Sequence, residues 1–304
     1  MLRALGVVAL FLMLLVAYGV AIEPRLLLDE QAIEAEVPGL PTGWDGQTLA
    51  LVADFQTGMW LDNSGMVQTA VGRAIEERAA LALIGGDFVY QPDSATVREA
   101  VSYVRPLVAA GIPTVAVLGN HDYSLMKKDS AERPPMAEYL AAQLREAGVT
   151  VLENDAVAVE AANGDPLWVA GVGSVWAENA APAAALAAVP AGAPRVWLMH
   201  NAEAFREVAA DEAPLALAAH SHGGQIRLPG TGTWSWLDVV RPGEVVADGW
   251  AADSIGAPGN RLYVNRGIGF STVPVRIRCR PELTLVTLRA AGGTLPDRGP
   301  TASR

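Results

Sequence analysis

The chain has 304 residues, 51% of them apolar, and carries a net charge of −11 with no cluster of lysine or arginine. That length buries a large core without help from disulfides, and the one cysteine, Cys279, has no partner to pair with. Counterion release at a phosphate backbone needs grouped cations, so no nucleic-acid partner is expected.

In chain order, the first element is an uncharged apolar run from Ala4 to Ile22. At about 1.5 Å per residue it covers most of a hydrocarbon layer roughly 30 Å thick. Residues 1–22 are therefore read as a transmembrane anchor or uncleaved signal. Gly19-Val20-Ala21 would pass as a small-residue cleavage site. Arg3 favours an amino terminus inside and a catalytic body outside the cytoplasm, although Arg25 blunts the charge contrast; secretion after cleavage and a cytoplasmic-facing body are the alternatives. Turn residues at 23–24 and 37–46 predict a stalk over 23–47.

From 48 onward short apolar runs recur: "TLALVAD" (48–54), "ALALIGGD" (80–87), "TVAVLGNHD" (114–122), "LWVAGVG" (167–173), "RVWLMHN" (195–201) and "LALAAHSHGG" (215–224). They predict buried strands, and the helical stretches 66–80, 94–110 and 135–147 predict an α/β fold with helices on the sheet faces. An alanine-rich helix or loop is expected at 180–193, and a surface excursion at 225–260. The last strands fall at 261–265 and 282–288, with a flexible tail over 291–304.

Asp54, Asp87, Asn120, His200, His220 and His222 all stand at or just past the carboxyl end of a predicted strand, where open α/β sheets place their ligand crevice. All 4 histidines of the chain, these three and His121, fall in such strand-end positions. Carboxylates, an amide and imidazoles without thiolate suit hard to borderline divalent cations. Their number suffices for two ions sharing one carboxylate, the arrangement that clamps the attacking and leaving oxygens of a phosphoryl displacement. Singly, each motif has an ordinary reading as a turn or helix cap; jointly they do not.

The order D-x-Q, G-G-D, G-N-H-D, H-N and H-S-H-G-G-Q resembles the calcineurin-like metallophosphoesterase superfamily, whose pattern is D-x-H, G-D, G-N-H-[DE], H and G-H-x-H. The resemblance spans nearly all of 23–290. "HSHGGQIRLP" (220–229), "YVNRGIG" (263–269) and "PVRIRCRPELTLVTL" (274–288) are similar to the bacterial membrane-associated phosphodiesterase branch. It implies a four-layer α/β/β/α sandwich of two mixed sheets over 48–290, with the metals at a rim between them. It further implies that Asp54 and His222 bind a first metal, that Asp87 bridges, and that Asn120, His200 and His220 complete the second. His121 would contact the phosphate and assist the leaving oxygen, Asp122 would orient that imidazole, and a metal-bridging hydroxide would attack. Ala219 replaces the glycine before the first histidine of the pair. Gln56 stands where the family has a metal-binding histidine; an amide oxygen is a weaker, harder ligand, which favours Mn²⁺ or Mg²⁺ over Zn²⁺, with Fe²⁺ the other candidate.

The expected activity is hydrolysis of a phosphodiester or pyrophosphate bond in a lipid-linked or nucleotide-linked substrate. The alternatives are a broad-specificity phosphomonoesterase and a membrane-tethered degenerate member acting as a binding protein. Arg227 and Arg266 are candidate phosphate contacts. Trp60, Trp168 and Trp176 read as core or rim packing, and Trp234, Trp236 and Trp250 as candidates for a lipid-side or substrate-side surface.

Overall fold

Strands buried on both faces need apolar residues at every position, whereas helices covering them need one apolar stripe, and the chain alternates between these two patterns. A computed structural model describes residues 2–126, 134–227, 235, 237 and 246–291. An N-terminal helix α1 (Leu2–Ala17) runs through a π turn at Tyr18–Ile22 into the short α2 (Glu23–Leu26). There follow β1 (Asp29–Val37), β2 (Thr48–Val52), α3 (Ser64–Glu76), β3 (Leu81–Ile84), α4 (Ser94–Ala109), β4 (Thr114–Ala116), α5 (Pro134–Glu146) and β5 (Thr150–Val151). The second half comprises β6 (Asp155–Glu160), β7 (Pro166–Gly171), α6 (Pro182–Ala187), β8 (Arg195–Leu198), β9 (Ala216–Ala218), β10 (Gly249–Trp250), β11 (Leu262–Val264) and β12 (Glu282–Ala290).

These strands form two 6-stranded mixed sheets, ordered β1-β12-β2-β3-β4-β5 and β10-β11-β9-β8-β7-β6. Successive side chains on a strand face opposite ways. Leu49, Leu51, Leu81 and Leu83 of the first sheet therefore meet Val169, Leu198 and Leu217 of the second in an inter-sheet core. Ala50, Val52, Ala82 and Ile84 face outward, against Val67, Val71, Val101, Val104, Leu140 and Leu144 of α3, α4 and α5. The outer face of the second sheet packs Ala170, Trp197 and Ala218 against Ala185 of α6 and Phe205. The result is the expected α/β/β/α sandwich. Within it β2–β5 run parallel, as do β7, β8, β9 and β11, so each sheet delivers several strand ends to one rim.

Residues 23–47, expected to form a stalk, are part of the domain. β1 pairs in parallel with β12 along its whole length, from Asp29 opposite Glu282 to Val37 opposite Ala290. Within "DEQAIEAEV" residues 33–37 alternate apolar and polar, and Ala35 and Val37 are buried. The outward acids blunt this edge strand against further pairing, and Glu34 also bonds Arg289 across 3.0 Å. The turn residues that flank the strand, not the strand itself, produced the stalk reading.

The helix base is also seated. The buried Glu23 carboxylate accepts the N–H of Arg278 at 2.8 Å and that of Cys279. Arg276 N–H donates to the Gly19 carbonyl at 2.9 Å. The Arg25 guanidinium donates to the carbonyls of Leu61, at 2.6 Å, and of Asp62. Asn63 ties Pro24 and Ile268 together through its side-chain N–H groups, at 2.8 and 2.9 Å. Above this base the helix is apolar and exposed, and Arg3–Leu26, of mean hydropathy 2.7, is long and apolar enough to be a membrane anchor or a signal sequence. Replacing Glu23 by alanine strands the buried N–H of Cys279 and the part-buried N–H of Arg278, so Glu23→Ala is expected to destabilise the full chain by about 2 kcal/mol; chemical denaturation in detergent checks this, and an unchanged midpoint contradicts it.

Candidate metal centre

Asp54 follows β2, Asp87 follows β3, and Asn120 and His121 follow β4; His200 follows β8, and His220 and His222 follow β9. The turn off the strand is sharp at most of these positions. Asp54, Gln56, Asp87, His220 and His222 hold φ values of 55°, 52°, 56°, 72° and 50°, in the left-handed region that side chains other than glycine rarely adopt. Such conformations persist only where surroundings enforce them, and they gather at functional sites. Here the surroundings include two glycines pressed on the carboxylates. A Cβ on Gly119 would lie 2.2 Å from Asp87 Oδ1, and one on Gly267 2.2 Å from Asp54 Oδ2.

Two groups of ligand atoms result, Asp87 with His200 and His220, and Asp54 with Asp87 and His222, each with its atoms within 4.8 Å of one another. Asp87 belongs to both. The remaining bonds aim these atoms. His200 Nδ1 meets the Gly85 carbonyl at 2.7 Å, which leaves Nε2 facing Asp87 Oδ2 (3.3 Å), Asn120 Oδ1 (3.1 Å) and His220 Nδ1 (3.2 Å). Asn120 spends its amide N–H on the Leu125 carbonyl at 2.7 Å, so its oxygen points inward. Gln56 donates its amide N–H to Asp87 Oδ2 at 2.8 Å, which leaves its own Oε1 buried without a partner. Both Asp54 oxygens and His222 Nδ1 are likewise buried without a hydrogen bond of good geometry. Buried polar atoms are almost always satisfied. A set of converging oxygens and imidazole nitrogens left open is what a divalent cation would complete, and no thiolate is among them.

The electrostatics point the same way. Burial, partly offset by His200 and reinforced by Asp87, pushes Asp54 up to about 7. Burial also disfavours ionisation of Asp87, but the charges of His200 and His121 overcome it and hold that carboxyl below the usual range. At His200 burial is outweighed by Asp87 and Asp54, and its pKa rises to about 9. Protons thus stand where cations would otherwise balance the carboxylates. His222 is different: burial and the Arg276 guanidinium lower it well below its ordinary value, keeping a neutral imidazole, the ligating form.

His121 lies beside this centre. Its backbone N–H donates to Asp87 Oδ1 at 2.9 Å, and its Nδ1 meets the Tyr90 carbonyl at 2.7 Å, the ring lying 5.0 Å from that of Tyr90. Asp122 does not orient that ring. Its Oδ2 accepts the N–H groups of Asp87 (3.0 Å) and Gly119 (2.8 Å), and its Oδ1 that of Val89 (3.2 Å). Those donors leave the carboxylate no reason to turn toward the imidazole, and Asp122 instead clamps the loops after β3 and β4 together. Burial and the Asp87 charge raise it to about 8.

Neither arginine expected at the phosphate is free for it. Arg227 pairs with Asp248 at 2.6 Å, and Arg266 with Asp29 and Glu282, each at 2.6 Å. Trp250 packs on Tyr263 at 5.4 Å with Arg261 over its ring at 4.3 Å, while Trp234 and Trp236 lie outside the described residues. The arginine with a part in the site is Arg276, which the sequence does not single out. It is fully buried and gathers the carbonyls of Gly269 (2.6 Å), Arg266 (2.9 Å), Gly267 (3.2 Å) and Cys279 (3.3 Å). This closes the 266–279 loop against Asp54 and His222, and Cys279 Sγ meets the His222 carbonyl at 3.3 Å.

No protein-family model matches the chain. Phosphodiesterase YaeI of Escherichia coli is 33% identical over 228 residues, 73% of this chain and 75% of the relative. The metallophosphoesterase YkuE of Bacillus subtilis is 24% identical over 278 residues, 90% of each chain, and the metallophosphoesterase YkoQ of the same organism is 27% identical over 169 residues, 56% of this chain and 57% of the relative. Given the YaeI match and a rim of metal-ligand atoms at the strand ends, the chain belongs to the calcineurin-like metallophosphoesterase superfamily, in the bacterial branch of YaeI and YkuE, and is a hydrolase of phosphoester bonds.

Proposed function

We propose that the chain is a phosphodiesterase whose two ligand groups hold two divalent cations with Asp87 shared between them. The observation that carries this reading is the convergence of open, buried ligand atoms on Asp54, Gln56 and His222 with the Asp87, His200 and His220 group. The phosphodiesterase name of YaeI supports the diester over the monoester. Asp54, Gln56 and His222 would hold one cation and Asn120, His200 and His220 the other. When bound, such cations supply charge neutralisation for the phosphoryl oxygens and acidify a water.

The protein residues have separable tasks. Asp87 is held from two sides, by the Gln56 amide and by the His121 backbone, so its carboxylate keeps one orientation. The Tyr90 carbonyl accepts a hydrogen bond from Nδ1–H of His121, which leaves Nε2 as the atom that would gain and lose a proton at the leaving oxygen. The mixed ligand set, with Gln56 contributing an amide oxygen, favours Mn²⁺ or Mg²⁺.

Removing the His121 ring leaves its backbone N–H on Asp87. His121→Ala is accordingly expected to lower turnover of bis(p-nitrophenyl) phosphate by about 10²–10⁴-fold with metal content unchanged by mass spectrometry; loss of metal along with activity would make the residue structural. Metal uptake must displace the proton on His200, at about 9, and below about 7 that on Asp54 as well. Both groups ligate only when deprotonated, so affinity rises with pH: about tenfold per unit between 7 and 9, and more steeply below 7. Chelator competition on metal-stripped protein measures that slope, and a flat profile speaks against the assignment. Gln56→His exchanges an amide oxygen for an imidazole and is expected to tighten Zn²⁺ binding about tenfold relative to Mn²⁺; unchanged selectivity in the same titration would place Gln56 outside the ligand set.

A further inference from the structure

The loop leaving Gln56 runs straight to the base of the apolar helix. There Met59, Leu61 and Asp62 face Val20, Ala21 and Arg25 across an open cleft of about 430 Å³, within the usual range of ligand sites. Two residues, Thr57 and Gly58, lie between Gln56 and Met59, so the α-carbon of the cleft's Met59 is within about 11 Å of that of Gln56.

Leu61 of its lining, and the chain neighbours Trp60, Ile22 and Leu26 of other lining residues, are apolar and exposed. Trp60 and Leu61 are 64% and 56% exposed, and Ile22 and Leu26 41% and 67%. Trp60 is thus not the packing residue that the sequence suggests. Leu61 lines the cleft opposite Val20 and Ala21, which continue the chain from α1, itself exposed along its length, so exposed apolar surface runs from the helix to the mouth of the cleft. Tryptophan favours the boundary between hydrocarbon and water.

Charge at the mouth fits the same surroundings. The Arg25 guanidinium donates to the carbonyls of Leu61, Asp62 and Val20 and to the Asn63 side-chain oxygen, and it makes no ion pair among the described residues. The Asp62 carboxylate beside it accepts the N–H groups of Gly58 and Ser64, at 3.1 and 3.3 Å, and its charge also acts on Arg25. A cation held at the depth where an apolar helix enters a domain complements a lipid phosphate.

We infer that the cleft receives an acyl chain of a membrane lipid, and that the substrate is a phosphodiester carried on such a lipid and drawn from the bilayer that α1 enters. The inference rests on the phosphodiesterase reading. Fixed by Glu23, Arg25 and Asn63, the helix base holds the rim of the metal centre at the membrane surface, and a lipid reaches the site without leaving the bilayer.

The full chain in nanodiscs of phosphatidylethanolamine and phosphatidylglycerol tests this with two diesters that share a leaving group, methyl and hexadecyl p-nitrophenyl phosphate. The long chain is expected to raise kcat/KM by about tenfold or more, and Leu61→Glu and Ala21→Glu, checked for folding by circular dichroism, to bring the ratio close to one. Partitioning into the disc is common to wild type and variants, so the change in ratio isolates the cleft. A wild-type ratio near one, or a ratio kept by both variants, overturns the inference. If neither diester is cleaved, the phosphodiesterase reading fails. The cleft is then judged by a dye on Leu61→Cys: quenching by lipids spin-labelled near the headgroup, with a dye on Glu160→Cys at the edge strand β6 unquenched, supports it, and an unquenched dye at position 61 overturns it.

Discussion

Asp54 and Asp87 lie side by side in a fully buried rim, and two carboxylates in that position repel each other and lack water. Much of the surrounding architecture answers this problem. Gly119 and Gly267 are glycines because any side chain would occupy the carboxylate oxygens. The left-handed turns at Asp54 and Asp87 bring the two acids together at the cost of backbone strain. Gln56, the His121 main chain and His200 each address the Asp87 carboxylate, while Arg276 lends its charge to the neighbourhood of Asp54. Positive charge from outside the chain is the remaining requirement, and it joins a structural fact about two acids to the chemistry of a phosphoesterase.

The placement of these residues follows from the sheets. Parallel strands all end on the same side, so β2, β3 and β4 in one sheet and β8 and β9 in the other need only pack face to face for their ends to share a rim. This is why the ligand set was legible in the sequence. An apolar run that stops at Asp54, Asp87, Asn120, His200 or His220 declares both the strand and its end, and the order of those ends carries the resemblance. What was not legible depends on contacts between distant segments. β1 was hidden because its acids face outward and its partner, β12, lies at the far end of the chain. Asp122 follows His121 directly, and adjacency suggested a partnership that the backbone donors of Asp87, Val89 and Gly119 preclude. Arg276, set in an alternating "VRIRCR", cannot be told from a solvated arginine without its carbonyl partners. Arg227 and Arg266 mislead in the opposite direction, because Asp29, Asp248 and Glu282, which neutralise them, are remote in sequence.

Gln56 departs from the family pattern and still holds the Asp87 carboxylate. Its amide presents an N–H to Asp87 and an oxygen to the space beyond, two functions from one planar group. A neutral imidazole with a single N–H could also divide its nitrogens in this way, but it would offer a softer donor atom. The difference between the two therefore lies in the hardness of the donor atom presented rather than in the framework.

The seat of the helix also bears on how a water-soluble form of the enzyme could be made. A cut at the small residues Gly19-Val20-Ala21 would delete the carbonyl that receives Arg276 N–H, yet it would leave Glu23 capping Arg278 and Cys279. A cut only a few residues later would remove Glu23 itself and free Cys279, whose sulfur rests on the carbonyl of His222 in the candidate metal centre. Trimming this protein at the apparent end of its apolar helix would thus reach the catalytic centre through two contacts, and the permissible amino terminus of a soluble enzyme lies inside the segment that looks dispensable.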